Sequence, residues 1–235
     1  MAPHLGETWV YESLVSAIPG VNIPDRAALA IQFVVFEAIV LVAAAVYDLW
    51  AAVPAGTAAV VVAVVGSWLM LTFSRTVRHL QPPTAYRRLL FGSSIELALS
   101  VMAFVLFVTY AFVVDPRSGG ESLLTALLGP EPPVIAVVLL LLVTWDVIYR
   151  IGACWWATVV GFWRALRFGF DRDTTRRFVR LDALNVAFAG VQMTLIPFVL
   201  DHPLLVGALV GHLIAVVVVA SAGMLLQRRA VTDGR

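Results

Sequence analysis

Long apolar stretches alternate with short polar ones along the chain. Residues 27–49, 52–73, 89–114, 181–200 and 204–226 each offer about 20 mostly apolar residues, enough at 1.5 Å per residue to cross a ~30 Å hydrocarbon core as a helix. A sixth stretch, 134–163, is longer than a crossing needs and contains Asp146 and Arg150. Polar or proline-bearing segments separate the six, among them 74–88, 115–133 and 164–180. This pattern predicts an all-α fold, a polytopic transmembrane helix bundle of six spans. An N-terminal segment, residues 1–26, precedes it and a tail, residues 227–235, follows it. In the N-terminal segment Trp9, Tyr11, Leu14 and Ile18 suit either a short helix lying at the membrane interface or an ordinary ordered tail. No basic region followed by an apolar core marks a cleavable signal there.

Residues 151–170 allow two readings. Trp155, Trp156, Phe162, Trp163, Phe168 and Phe170 cluster here, and tryptophan favours the membrane–water interface. The helix either crosses by about Cys154 and continues along the inner surface, or runs on as one long tilted helix. A double crossing is excluded, because it would carry the arginines of 164–180 to the other side. Small residues recur every fourth position in two spans, at Ala51, Ala55, Ala59, Ala63 and Ser67 and again at Gly207, Gly211 and Ala215. Both ridges are expected to be places where helix backbones approach.

Charge sets the orientation. Arg75, Arg78, Arg87 and Arg88 follow the second span; Arg164, Arg167, Arg172, Arg176, Arg177 and Arg180 follow the fourth; Arg228, Arg229 and Arg235 follow the sixth. With six spans all of these fall on one side. The opposite side holds Arg117 with Asp48, Asp115, Glu121, Glu131 and Asp201. Positive charge marks the cytoplasmic side. Both termini are therefore expected in the cytoplasm of a cell-membrane protein.

Composition agrees and removes several functions. The chain is 61% hydrophobic and 13% charged, with mean hydropathy +0.93, whereas soluble domains carry about 25% charge. All 16 basic residues are arginine, so no lysine can form a retinal or pyridoxal Schiff base. The arginine usage, with abundant Ala and Val, suggests a prokaryotic source. Cys154 has no second cysteine to pair with. HExxH, GxSxG and CxxC are absent, Gly119–Gly120 reads as a turn rather than a phosphate cradle, and His212 is the one histidine inside a span, which leaves no bis-histidine haem. No cofactor is expected. The basic segments match anionic lipid headgroups rather than nucleic acid, so the bilayer is the first partner.

What remains are polar groups inside the spans, which cost free energy in lipid and need something to offset it. The candidates are Glu37, Glu96, Asp146, Arg150, Gln192 and His212. Counting from the span ends puts the three carboxyls in one slab between the midplane and the basic side. Asp146 and Arg150 lie four residues apart, on one helix face, where they can pair. A metal held by His212 with one of the carboxyls is conceivable. Three readings stay open. The charges line a path for a small ion or solute, they only lock the bundle together, or one carboxyl serves an intramembrane enzyme acting on lipid. Transport is the leading one, because three acids against one arginine leave carboxylates to spare.

Overall fold

The computed structural model describes Trp9 and residues 24–232. Among them are eight α-helices and no strand: α1 Asp25–Tyr47, α2 Val53–Leu80, α3 Thr84–Phe91, α4 Ile95–Thr109, α5 Leu123–Leu128, α6 Val134–Arg167, α7 Arg172–Gln192 and α8 Pro203–Thr232. Six helical segments are long and apolar enough to cross a membrane: Asp25–Tyr47, Trp50–Leu80, Thr84–Arg117, Val134–Arg167, Arg172–Phe198 and Pro203–Thr232. They coincide with the six stretches read from the sequence, though the helices reach further than the apolar runs. The proposed interfacial helix of the N-terminal segment lies outside the described residues. Trp9, the one described residue of that stretch, is buried between Phe73 and Phe91.

Helix α6 is the axis, packed against α2, α3, α4, α7 and α8, while α1 leans on α2 at the edge. It is unbroken to Arg167, about 50 Å at 1.5 Å per residue, and Phe168 then turns extended. Of the two readings of 151–170, the continuous helix is the one found. Of its tryptophans Trp156 is buried, with its indole N–H donating to Leu89 O at 3.1 Å. Helix α2 likewise runs through Arg75 and Arg78, ending at Gln81 in the left-handed region before Pro82–Pro83. Arg75 then pairs with Asp25 at the start of α1.

The third span is broken. After α3, Gly92, Ser93 and Ser94 leave helical geometry before α4 begins, with Ser94 at φ 54°. The break strands carbonyls of the last turn of α3. Side chains satisfy them: Ser93 Oγ, at 2.8 Å, and the Trp156 indole both donate to Leu89 O, and Trp9 donates to Leu90 O at 3.2 Å. Beyond α4 the chain winds through a π-turn at Tyr110–Val114. The fifth span ends in a 3-10 stretch, Met193–Phe198, which contains Pro197, a residue without the N–H an α-helix requires. Asp171 opens α7, its Oδ1 accepting from Asp173 N at 2.9 Å and Thr174 N at 3.0 Å. Hydrogen bonding, from Thr174 above all, holds that carboxyl below its ordinary value.

The outer surface of the bundle is apolar, with Val34, Val42, Val46, Val105, Leu106, Leu142, Val218 and Leu225 exposed. Inside, contact follows small residues, as lipid offers no hydrophobic drive between helices. The α2 ridge is interior at Ala63 and Ser67. The second ridge is not: Gly207 and Gly211 are exposed, and nothing lies within 4 Å of where their Cβ atoms would be. Close approaches occur instead at Gly152, against Ser100 Oγ, at Gly56, where a Cβ would sit 2.8 Å from Val40 Cγ1, and at Gly66, where it would sit 2.8 Å from Arg150 Cδ and 2.9 Å from Phe188 Cζ. Overpacking there should cost about 1–3 kcal/mol. Gly66→Ala is therefore expected to lower thermal stability in detergent, and Gly211→Ala to leave it unchanged. Equal midpoints for the two variants would remove Gly66 as a contact point.

Candidate functional site: a buried arginine network and an apolar cavity

The most buried charge is one the sequence reading placed among the headgroups. Arg164 is fully buried. Its Nη1 donates to Tyr86 Oη at 2.9 Å and its Nη2 to Asp182 Oδ2 at 2.6 Å. Gln227, with its carboxamide oxygen turned towards the guanidinium, accepts from Nη2 at 2.8 Å and Nε at 3.2 Å. The Phe178 ring lies 4.0 Å from the guanidinium carbon, close enough for a cation–π contact. Gly161 makes room, since a Cβ there would stand 3.2 Å from Asp182 Oδ1. One side chain thus joins α3, α6, α7 and α8. A signal for it exists in the sequence: Arg164 follows Arg150 by fourteen residues, four turns, on nearly the same face of α6. Asp182 is the matching acid, inside the fifth apolar stretch.

The expected residues lie in separate places. Asp146 and Arg150 pair as their spacing implies, Nη2 to Oδ1 at 3.0 Å, with Nη1 against Met70 Sδ at 3.0 Å. Glu37, on peripheral α1, accepts from Thr57 Oγ1 at 2.7 Å. Glu96 is buried just after the break between α3 and α4, and neither carboxyl oxygen has a hydrogen-bond partner among the described residues. Gln192 is buried and faces the Cys154 thiol, beside a polar seam in which Asn185 Nδ2 donates to Cys154 O at 3.0 Å and Thr158 Oγ1 at 2.8 Å. Among the described residues no three of His, Cys, Asp and Glu converge as a metal site would require.

A second cluster, also missed, sits at the end of the bundle away from Arg150 and Arg164. Asp115 is buried. Its Oδ1 accepts from Tyr110 Oη at 3.1 Å and lies 2.9 Å from His202 Nδ1, and its Oδ2 accepts from Leu123 N at 2.6 Å. The π-turn explains the first contact, because i→i+5 winding puts Tyr110 and Asp115 on one side. Through Asp115 the third span, the start of α5 and the α7–α8 connection are held together.

Beneath that clamp lies a cavity of about 710 Å³. Its wall is formed by the second half of α1, the first half of α2, the second half of α4, α5, the first half of α6 and the first turns of α8. The lining is aliphatic and aromatic save for Tyr110, Thr144 and His212. Of the six expected residues His212 alone belongs to it. The His212 Nε2 is buried without a hydrogen-bond partner among the described residues, and the ring stands edge-on to Trp155, centroids 6.4 Å apart.

The six apolar spans among the described residues, with their interior charge network, define a multi-pass α-helical membrane protein. The chain belongs to a family of unknown function, DUF7530, whose model matches residues 4–223. No curated protein and no solved structure matches it.

The network carries its own test. Removing one partner of a buried pair strands the other and costs roughly 3–5 kcal/mol. Arg164→Met should therefore unfold at markedly lower denaturant in mixed micelles. Arg164→Met with Asp182→Leu should recover part of the loss. A double variant as unstable as the two losses added together would mean that the pair does not act as a unit.

Proposed function

We propose that this protein is a small-solute carrier of the cell membrane, and that its solute is apolar and occupies the cavity between α1, α2, α4, α6 and α8. The observation that carries the reading is the cavity itself. Its volume, about 710 Å³, falls within the range of small-molecule sites, and its wall is apolar with a few polar groups, as such sites are. Passage of an ion along the carboxylates draws less support. Asp146 is bound to Arg150, Glu37 hydrogen-bonds to Thr57, and neither these acids nor Glu96 line the cavity. The paired charges fit the structural part of the alternative reading, in which they hold the bundle while the solute is handled elsewhere.

A photoreactive alkyl diazirine tests the proposal on the full chain in nanodiscs. Labelling of cavity residues such as Leu140, Ile148 and Leu209 should saturate and be displaced by unlabelled alkane. Labelling of lipid-facing Val34 and Leu225 should rise linearly. Ala208→Phe should reduce the saturable part by filling the space. If cavity and lipid-facing positions label alike, the space is ordinary lipid-exposed surface and the reading fails.

The orientation proposed with it puts both termini and the arginine clusters in the cytoplasm, supported by their segregation to one end of the bundle. In a Cys154→Ser background, Gly119→Cys should react with impermeant thiol reagents in right-side-out vesicles. Thr84→Cys and Thr174→Cys should be shielded. The reverse pattern would invert the topology.

A further inference from the structure

We infer that the cavity takes its occupant sideways from the bilayer: the acyl chain of a membrane lipid enters between α4 and α8 while the headgroup stays outside. The inference rests on the carrier reading above and names its solute. Among the described residues four members of the cavity wall are exposed on the outside of the bundle, Ala103 and Leu106 of α4 and Leu204 and Ala208 of α8. The rest of the wall is buried or half-buried. Leu106 is 63% exposed and Leu204 65%, as much as the lipid-facing Val34 at 63%. Within each pair the two residues are three or four positions apart, so each helix offers one continuous edge. Side chains that line a cavity and also face outward mark where it reaches the surface. The two edges converge at the clamp. Tyr110, one turn after Leu106, has its Oη 3.3 Å from His202 Nδ1, and His202 precedes Leu204 by two residues. The opening therefore lies next to the clamp, between two helices that both pack on α6.

Its depth decides what can enter. Leu106 lies eight residues before the end of the apolar run 89–114, about 12 Å into the hydrocarbon, where lipid chains lie against it. Towards water the wall is formed by α5. Leu123 and Leu128 are buried in it, and Asp115 fixes the Leu123 N–H. The wall contains no arginine and no carboxylate, so a charged headgroup would meet no counter-ion inside and stays at the interface. An acyl chain needs no polar partner. It gains dispersion contacts from a wall that surrounds it on several sides, which loose neighbouring chains do not provide.

The test uses the full chain in nanodiscs of phosphatidylcholine, a fraction of which carries a diazirine at the end of one acyl chain. This lipid probe is expected to label Leu140 and Leu209 to saturation as its fraction rises, and Val34 and Leu225 in linear proportion. Leu106→Trp with Leu204→Trp narrows the opening at two exposed positions, so the thermal midpoint should stay unchanged. That variant should lose most of the saturable labelling by the lipid probe, whose chain has to lie through the opening while bound. The free alkyl diazirine should still label its cavity. Leu106→Ala with Leu204→Ala should keep the lipid labelling, which ties the loss to bulk. Saturable labelling by the free alkyl diazirine but not by the lipid probe would overturn the inference and leave the carrier reading standing. Lipid labelling that the tryptophan pair leaves intact would do the same. Absence of saturable labelling by either probe would overturn both.

Discussion

A guanidinium in the interior of a membrane protein has to be answered on every side, and answering it for Arg164 takes four helices. Tyr86, Asp182 and Gln227 supply the acceptors and Phe178 a ring face. None of these residues can move far without stranding a charge, so α3, α6, α7 and α8 are fixed to one another at this end. Fourteen residues earlier, Arg150 does a similar job at shorter range, tied to Asp146 on its own helix and threaded past Gly66 of α2. Helix α6 is thus the axis because it carries both buried arginines. The surrounding helices are arranged to meet them.

In lipid this matters more than it would in water. Apolar side chains gain little by leaving hydrocarbon tails for one another, so contacts depend on close backbone approach and on polar groups that need partners. Both are concentrated in the half of the bundle that holds the arginines. The Asn185–Thr158–Cys154 seam lies there, as does the Ser67–Gln32 bond at 3.0 Å. The other half has the Asp115 clamp at its rim and little polar packing beneath it. Helices that diverge from a tight polar end leave a space, and the cavity occupies that half.

The extent to which the sequence announced this follows from which forces are local. Six spans were legible because a run of about 20 apolar residues has one physical outcome. The Asp146–Arg150 pair was legible because four-residue spacing on a helix fixes proximity. Arg164 was not, because arginines near span ends are ordinary positive-inside residues, and only the tertiary fold shows that this one turns inward. Its periodicity with Arg150 was the available clue. Asp115, Tyr110 and His202 come together across 87 residues through a π-turn and two connections, and no local rule assembles them. The glycine ridges show the same limit. Small residues at every fourth position mark a smooth helix face, but at Gly207 and Gly211 that face meets nothing among the described residues, and glycines outside both repeats, Gly56, Gly66 and Gly152, do the close packing.

Separating the polar packing from the cavity has a chemical consequence. Charged groups lining a cavity would tie ligand binding to the electrostatics that hold the helices together. Here Arg150, Arg164 and Asp115 are engaged with protein partners, and none of the three lines the cavity. The three acids set against one arginine are dispersed on three helices, and one of them, Asp146, is held by Arg150. Arg164, counted then as a surface charge, takes Asp182 as its own partner. Of the expected polar residues His212 alone lines the cavity, where Tyr110 and Thr144 are the other polar side chains. A wall of that kind favours a ligand recognised mainly by its apolar body.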